Sequence, residues 1–175
     1  MYRLPAGVAE PGFALLHRYW ESKRRGGRLP ARVQIDPTEI PALLPQLLLF
    51  EVVAGRDGPR FRFRLAGTAF TNLVGRDVTG YCLDELGTPE RVAPVHEALA
   101  AILETGRPAY RAGRLTLRSE EFMMAKRLGF PLASDGARVD MILGLWLAEP
   151  WPAQHRAAGQ FREGSAGELI LLDGD

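Results

Sequence analysis

Phe61-Arg62-Phe63-Arg64-Leu65-Ala66-Gly67-Thr68 is the stretch whose reading decides the fold. Side chains alternate across a pleated strand, so Phe61, Phe63 and Leu65 are assigned to one face and Arg60, Arg62 and Arg64 to the other. Gly67 breaks the strand, Thr68 opens a short helix to about Val74, and Gly75-Arg76-Asp77-Val78-Thr79-Gly80 follows as a polar turn between glycines. The arginine face either meets phosphates or an acidic partner, or covers its neighbours with long stems whose heads stay in water. The second use is the commoner one on an antiparallel sheet.

Before this stretch, Gly55-Arg56-Asp57-Gly58-Pro59 carries turn chemistry, so residues 46–53 and 60–66 are predicted to form a hairpin. Asp36-Pro37-Thr38-Glu39 starts a short helix that ends near Leu44-Pro45: Asp caps, and Pro takes the first position, where no amide donor is needed. Over residues 11–25, Phe13, Leu16, Tyr19 and Trp20 recur at helical spacing, and Gly26-Gly27 closes this amphipathic helix. After the decisive stretch, residues 81–86 form another helical turn. Thr88-Pro89-Glu90 opens a long helix with apolar Val92, Val95, Leu99, Ile102 and Leu103, ending at Thr105-Gly106. The remainder reads as strands at 109–117, 122–132 and 138–148, with Ser134-Asp135-Gly136 turning between the last two. Residues 141–147 are apolar on both faces, which predicts a central strand covered on both sides. The chain thus divides into an N-terminal helix and connector (1–33), an α+β core (34–149) and a C-terminal tail (150–175).

Bulk properties narrow the class. A chain of 175 residues, 46% hydrophobic and 25% charged, fits one domain with a core of its own and needs no disulfide or metal staple. No apolar run approaches the roughly 20 residues of a membrane helix. Met1-Tyr2-Arg3-Leu4-Pro5 lacks the features of a secretory leader, and Cys82 is the lone cysteine, so a cytoplasmic protein is expected. The net charge of +1 hides an asymmetry: residues 1–32 hold seven Lys/Arg against two Glu, residues 149–175 two Arg against five acids. The basic cluster Lys23-Arg24-Arg25, Arg28 and Arg32 has no aromatic or motif support, so nucleic acid is not an expected partner.

Tyr19-Trp20, Arg25-Gly26-Gly27, Leu29-Pro30-Ala31-Arg32, Ile35-Asp36-Pro37, Leu43-Leu44-Pro45, Arg62 to Thr68 and Gly75 to Gly80 occur in this order over roughly residues 12–148. Together with two strands, short helices, a longer helix and three strands, this string resembles a bacterial branch of the PAS-domain family. The resemblance implies a five-stranded antiparallel sheet with helices on one face. The N-terminal helix then covers the other face or supplies Phe13, Leu16, Tyr19 and Trp20 to a homodimer or partner surface. It also implies a non-catalytic sensory module that binds a small ligand or a protein partner and passes the signal to another chain.

Haem-binding PAS domains carry an axial histidine on the long helix, where this chain has His96. Val92, Val95, Leu99 and Ile102 already define the buried stripe, and His96 lies about 100° from Val95, which argues against haem. Flavin photoreceptors of the family need an Asn-Cys-Arg-Phe-Leu-Gln-like stretch; here Asp77-Val78 follow Gly75-Arg76, and Cys82 lies beyond Gly80. The cofactor, if any, stays unnamed. The concave face is either a packed core or a pocket, and the pocket would draw on Phe63, Leu65, Phe70, Leu73, Tyr81, His96, Leu99, Leu143, Leu145 and Trp146.

No catalytic motif and no metal-ligand spacing is legible: Asp84-Glu85 and Glu120-Glu121 are adjacent acids whose side chains diverge, and His17, His96 and His155 are dispersed. Two alternatives remain. One is a cone-shaped α+β enzyme of isomerase or dehydratase type with Asp140 as base. The other is a protein-interaction adaptor.

Overall fold

The computed structural model describes residues 1–116, 122–150 and 167–174. Its centre is an antiparallel sheet built from β1 (Leu47–Gly55), β2 (Gly58–Ala66), β3 (Ala109–Thr116), β4 (Phe122–Leu132), β5 (Met141–Pro150) and β6 (Leu169–Leu171). The strands lie in the order β2-β1-β5-β4-β3-β6. The predicted hairpin forms, with Gly55 opposite Gly58. Strand β5 runs between β1 and β4, the central place its doubly apolar sequence predicts.

Helix α1 (Pro11–Lys23) precedes the sheet; α2 (Thr68–Val74) and α3 (Pro89–Thr105) connect β2 to β3. Pro11 and Pro89 stand at the predicted first positions of α1 and α3, whereas Thr68, expected to cap α2, is its first residue, with Gly67 at the cap. The segment after Asp36 forms short 3-10 turns, Pro37–Glu39 and Pro41–Gln46, in place of a regular helix. Another such turn, Leu83–Glu85, falls in the predicted segment 81–86.

The α+β class stands, with three corrections of detail. First, the sheet has six strands among the described residues: Leu169–Leu171, expected within the tail, pairs with Ala109–Arg111 of β3. Most of the remaining tail lies outside the described residues. Second, β5 starts at Met141, three residues later than expected. The Asp135 carboxylate accepts hydrogen bonds from the amides of Ala137 and Arg138, both at 2.8 Å, and this holds the chain in a turn past Gly136. Third, Leu65 leaves the face of Phe61 and Phe63. Leu49 pairs with Leu65 but Phe50 with Phe63, so Arg64 is an extra residue in β2. That β-bulge turns the strand over by one position.

The two faces of the sheet hold separate apolar clusters. On the outer face Leu47, Leu49, Leu128, Phe130, Leu132, Leu143 and Leu145 pack beneath α1, with Leu65 against them. Phe13, Leu16 and Trp20 are fully buried there and Tyr19 nearly so. The indole of Trp20 donates to the Pro131 carbonyl at 2.9 Å, and the Tyr19 hydroxyl accepts from the Asp36 amide at 2.7 Å. Helix α1 therefore covers the sheet. The four side chains proposed for a partner surface face inward, and a partner would meet the opposite side of the helix, where Arg18 is exposed. On the inner face Phe50, Phe61, Phe63, Ala125, Ile142 and Trp146 look toward α2, α3 and the Leu83–Glu85 turn.

The arginines of β2 are engaged at home. Arg62 donates to the Glu51 carboxylate across the β1–β2 pair, and Arg60 grips Asp84 through Nε and Nη2, both at 3.0 Å. In the basic cluster, Lys23 meets Glu39 and Arg24 meets Glu21.

Gly67 fixes the exit from β2. Its amide donates to the Leu47 carbonyl at 2.8 Å, and a Cβ there would lie 2.4 Å from the Leu44 carbonyl oxygen and closer still to that of Pro45. Backbone cannot yield as a side-chain tip can. Gly67→Ala is expected to cost about 1–3 kcal/mol, read by chemical denaturation, because it overpacks a rigid site.

Glu10, at the N-cap of α1, ties that helix to Lys126 of β4. Burial pushes its carboxyl up, but the Lys126 ammonium and nearby amides outweigh this and hold it below its ordinary 4.5. A lowered folded-state pKa contributes stability above the unfolded value that is lost as pH falls through the folded one. Glu10→Gln is therefore expected to melt below wild type at neutral pH, with the difference closing through the acidic carboxylate range when melting temperature is followed against pH.

Candidate functional site

The register of the inner face sets small residues side by side. Ala109 lies opposite Gly129, Gly129 opposite Gly144, and Gly144 opposite Leu48, so the row carries almost no side chain across three strands before it reaches Leu48. Helix α3 crosses above it. A Cβ at Gly129 would lie 2.6 Å from Ile102 Cδ1, so the glycine lets α3 seat there. The space left beside that contact is a cavity of about 490 Å³ between the sheet, α2, α3 and the Leu83–Glu85 turn. This falls within the range of small-molecule sites.

Its walls are mostly apolar. Phe50 and Phe63 stand 4.5 Å apart between ring centroids, Phe63 stacks on Phe70 at 5.7 Å, and Phe70 meets Trp146 edge-on at 5.3 Å. The next row of the sheet is different in kind: Arg111 is opposite Arg127, and Arg127 is opposite Trp146. Both arginines line the cavity, with Glu90 and Arg91 at the exposed start of α3.

Arg111 is buried and well held. Its Nε donates to the Gly167 carbonyl at 2.8 Å, and its Nη1 to the Pro94 carbonyl at 3.0 Å and to Glu97 Oε2 at 2.6 Å. The Arg127 guanidinium makes no hydrogen bond or ion pair with the described residues. Burial, reinforced by the Arg111 charge, pushes its guanidinium down to about 10.

Of the residues that sequence assigns to a pocket, Phe63, Phe70, Leu73, Leu99 and Trp146 come together as its lining. Leu145 borders the cavity while its side chain reaches α1, its Cδ2 lying against Gly12. Leu65 and Leu143 belong to the cluster beneath α1. Tyr81 is exposed under the Arg76 guanidinium, 4.9 Å from the ring centroid. His96 is exposed on α3, its ring 5.2 Å from that of Phe61 and outside the lining.

Asp140 lies just before β5 and away from the cavity, its Oδ2 accepting from the Ser134 amide at 3.0 Å. Among the described residues no group of three or more His, Cys, Asp or Glu could hold a metal ion. His155, Glu120 and Glu121 lie outside the described residues.

Sequence reasoning missed Arg111 and Arg127. Each sits in a strand where Ala109, Gly113, Ala125 and Gly129 share its face, and that small-Arg-small alternation is the only local signal.

The sequence matches the PAS domain family over residues 8–147. The chain belongs to the PAS-domain family. No curated protein matches it. Among solved structures, this PAS domain is similar to the PAS domain of Bordetella pertussis BvgS at 19% identity, covering 68% of this chain and 90% of that one, with a TM-score of 0.51. It also resembles the Rhodobacter sphaeroides LOV protein at 18% identity, covering 70% and 73%, with a TM-score of 0.47. A third is VqmA bound to DPO, at 14% identity, covering 64% of this chain and a TM-score of 0.49; the match spans 57% of the VqmA chain. At these identities the likeness is one of fold. No helix among the described residues is long and apolar enough to cross a membrane.

In this PAS domain Cys82 is buried beside β2, where its backbone bridges to Arg62. Burial pushes its thiol up, against a smaller pull from Arg60, so the reactive thiolate is scarce. Cys82 is expected to react with a thiol reagent at neutral pH far more slowly in the folded protein than in denaturant, followed by mass shift.

Proposed function

We propose that this PAS domain is a sensory module that takes a small organic ligand into the cavity above the Ala109–Gly129–Gly144 row and passes its occupancy to another chain. The cavity carries this reading. It has the size of a ligand site, aromatic walls and a few polar groups in one region, whereas a packed core has side chains where this sheet has glycine.

The lining also supports a binding role over a catalytic one. Among its described residues Glu90 is the sole carboxylate, exposed at the start of α3, where its own amide and Thr88 hold it below its ordinary value. No buried acid–base pair stands beside it.

A route outward is built from the same residues. Arg111 joins the cavity wall to α3 through Pro94 and Glu97, and to the C-terminal return through Gly167. Strand β6 follows, and Arg107 holds its end by donating to the Leu172 carbonyl at 2.9 Å. Residue 174 pairs there with Tyr2, bringing both ends of the chain to one edge of the sheet. A ligand that alters the Arg111 contacts thus acts on the edge from which a neighbouring chain would read the state.

Gly144→Leu tests the reading. A Cβ at this position meets Leu48 Cβ at an ordinary 3.7 Å, and the rest of the side chain enters the cavity. Wild-type protein is expected to retain a small molecule on gentle purification, seen by mass spectrometry after denaturation, or to gain thermal stability from members of a metabolite library. The folded variant is expected to lose both. A wild-type protein that binds nothing in such a library, or a variant that binds equally well, would overturn the reading.

A further inference from the structure

The row next to the glycines carries a charge problem. Arg111 and Arg127 are direct cross-strand neighbours, an arrangement that ordinarily destabilises a sheet. Glu97 answers Arg111, but its carboxylate contacts Nη1 alone, and Nη2 has no hydrogen-bond partner among the described residues. The Arg127 guanidinium has none among them for any of its nitrogens. Those nitrogens are not sealed in protein, for none belongs to the fully enclosed unpartnered atoms, which are those of Glu10, His17, Arg24 and Asp140. The open donors of both arginines are therefore not sealed off, and both residues line the cavity.

At the mouth Glu90 and Arg91 cancel, and Glu97, exposed on α3 outside the lining, answers one of the two buried-row arginines. Among the described residues one positive charge is left facing an otherwise apolar chamber. A guanidinium there offers a planar fork of donors that matches a carboxylate.

We propose that the cavity receives an organic monocarboxylate, its apolar body among Phe50, Phe63, Phe70 and Trp146 and its carboxylate on Arg127 with Arg111 beside it. This rests on the cavity being a ligand site and adds the chemical class of the ligand. One unbalanced charge selects a monoanion over a di- or tri-anion. The long apolar wall selects a body that inorganic anions lack.

Titration calorimetry with four named probes tests it: decanoate and indole-3-acetate against their uncharged amides, with inorganic phosphate alongside. At least one acid is expected to bind at least about tenfold tighter than its amide, since a hydrogen bond to a charged group is worth that much. Phosphate is expected not to compete. Arg127→Leu is expected to erase the preference for the acid while leaving amide binding in place. Without ligand, the same variant is expected to melt higher than wild type, because it removes a desolvated cation that has no partner among the described residues.

Amides that bind as well as acids, with binding still blocked by Gly144→Leu, would overturn the carboxylate class and leave the ligand cavity standing. Phosphate competing as an equal would reassign the arginines to a simple anion. Binding of neither acid, or an Arg127→Leu variant that melts lower than wild type, would overturn the proposal and make Arg127 a structural residue.

Discussion

Strand β5 has no face to spare. Ile142, Gly144 and Trp146 look toward the helices while Leu143 and Leu145 lie under α1, and hydrogen-bonded strands flank it on both sides. A strand in that position exposes apolar surface unless both faces are covered, and each fully buried Leu, Ile or Phe contributes about 1.5–3 kcal/mol only while the cover stays on. Helix α1 supplies one cover, anchored by Trp20, Tyr19 and the Glu10–Lys126 pair. This use of α1 spends its apolar stripe inside the molecule. The other cover, α3, rests on Ile102 where Gly129 lets it approach, and the neighbouring glycine at 144 leaves room beneath it. Cover and cavity thus come from the same two positions.

Much of the fold was readable because it depends on local rules. Prolines at the first positions of α1 and α3, glycines after α2 and α3, and the alternation in β2 are each set by a few neighbouring residues. Glycine is required at 75 and 106 because both close their helices at positive φ. The doubly apolar run in β5 announced its central place. What escaped is non-local. Arg64 carries no mark of a bulge, since any residue can be the extra one. Three residues at 169–171 are too few to declare a strand until β3 stands beside them.

The site divides in the same way. Phe63, Phe70, Leu73, Leu99 and Trp146 were legible as inner-face residues because large apolar side chains on predicted elements must point somewhere. Leu65 was misplaced by the bulge. Leu143 was misplaced because a strand apolar on both faces gives no parity by which to choose one, and Leu145 borders the cavity while its side chain lies under α1. The arginines were invisible for a stronger reason. Nothing at position 111 or 127 says that the other lies opposite, and only the β3–β4 register brings the two charges together.

That register concentrates unfavourable choices in one place. Glycine inside a strand costs roughly 0.5–1 kcal/mol relative to alanine, and two glycines are paired here. Two guanidiniums face each other one row away, one of them desolvated enough to be pushed down to about 10. A sheet shaped by stability alone would carry branched apolar residues at these positions and close the space under α3. Elsewhere local and global preferences agree: prolines stand at the starts of α1 and α3, exposed arginines of β2 find acids, and Lys126 on the outer face is answered by Glu10. Departures from the local rules that converge on one chamber are what a binding site leaves in a fold. The proposed ligand would fill the space over the glycines with an apolar body and set an anionic group against Arg127.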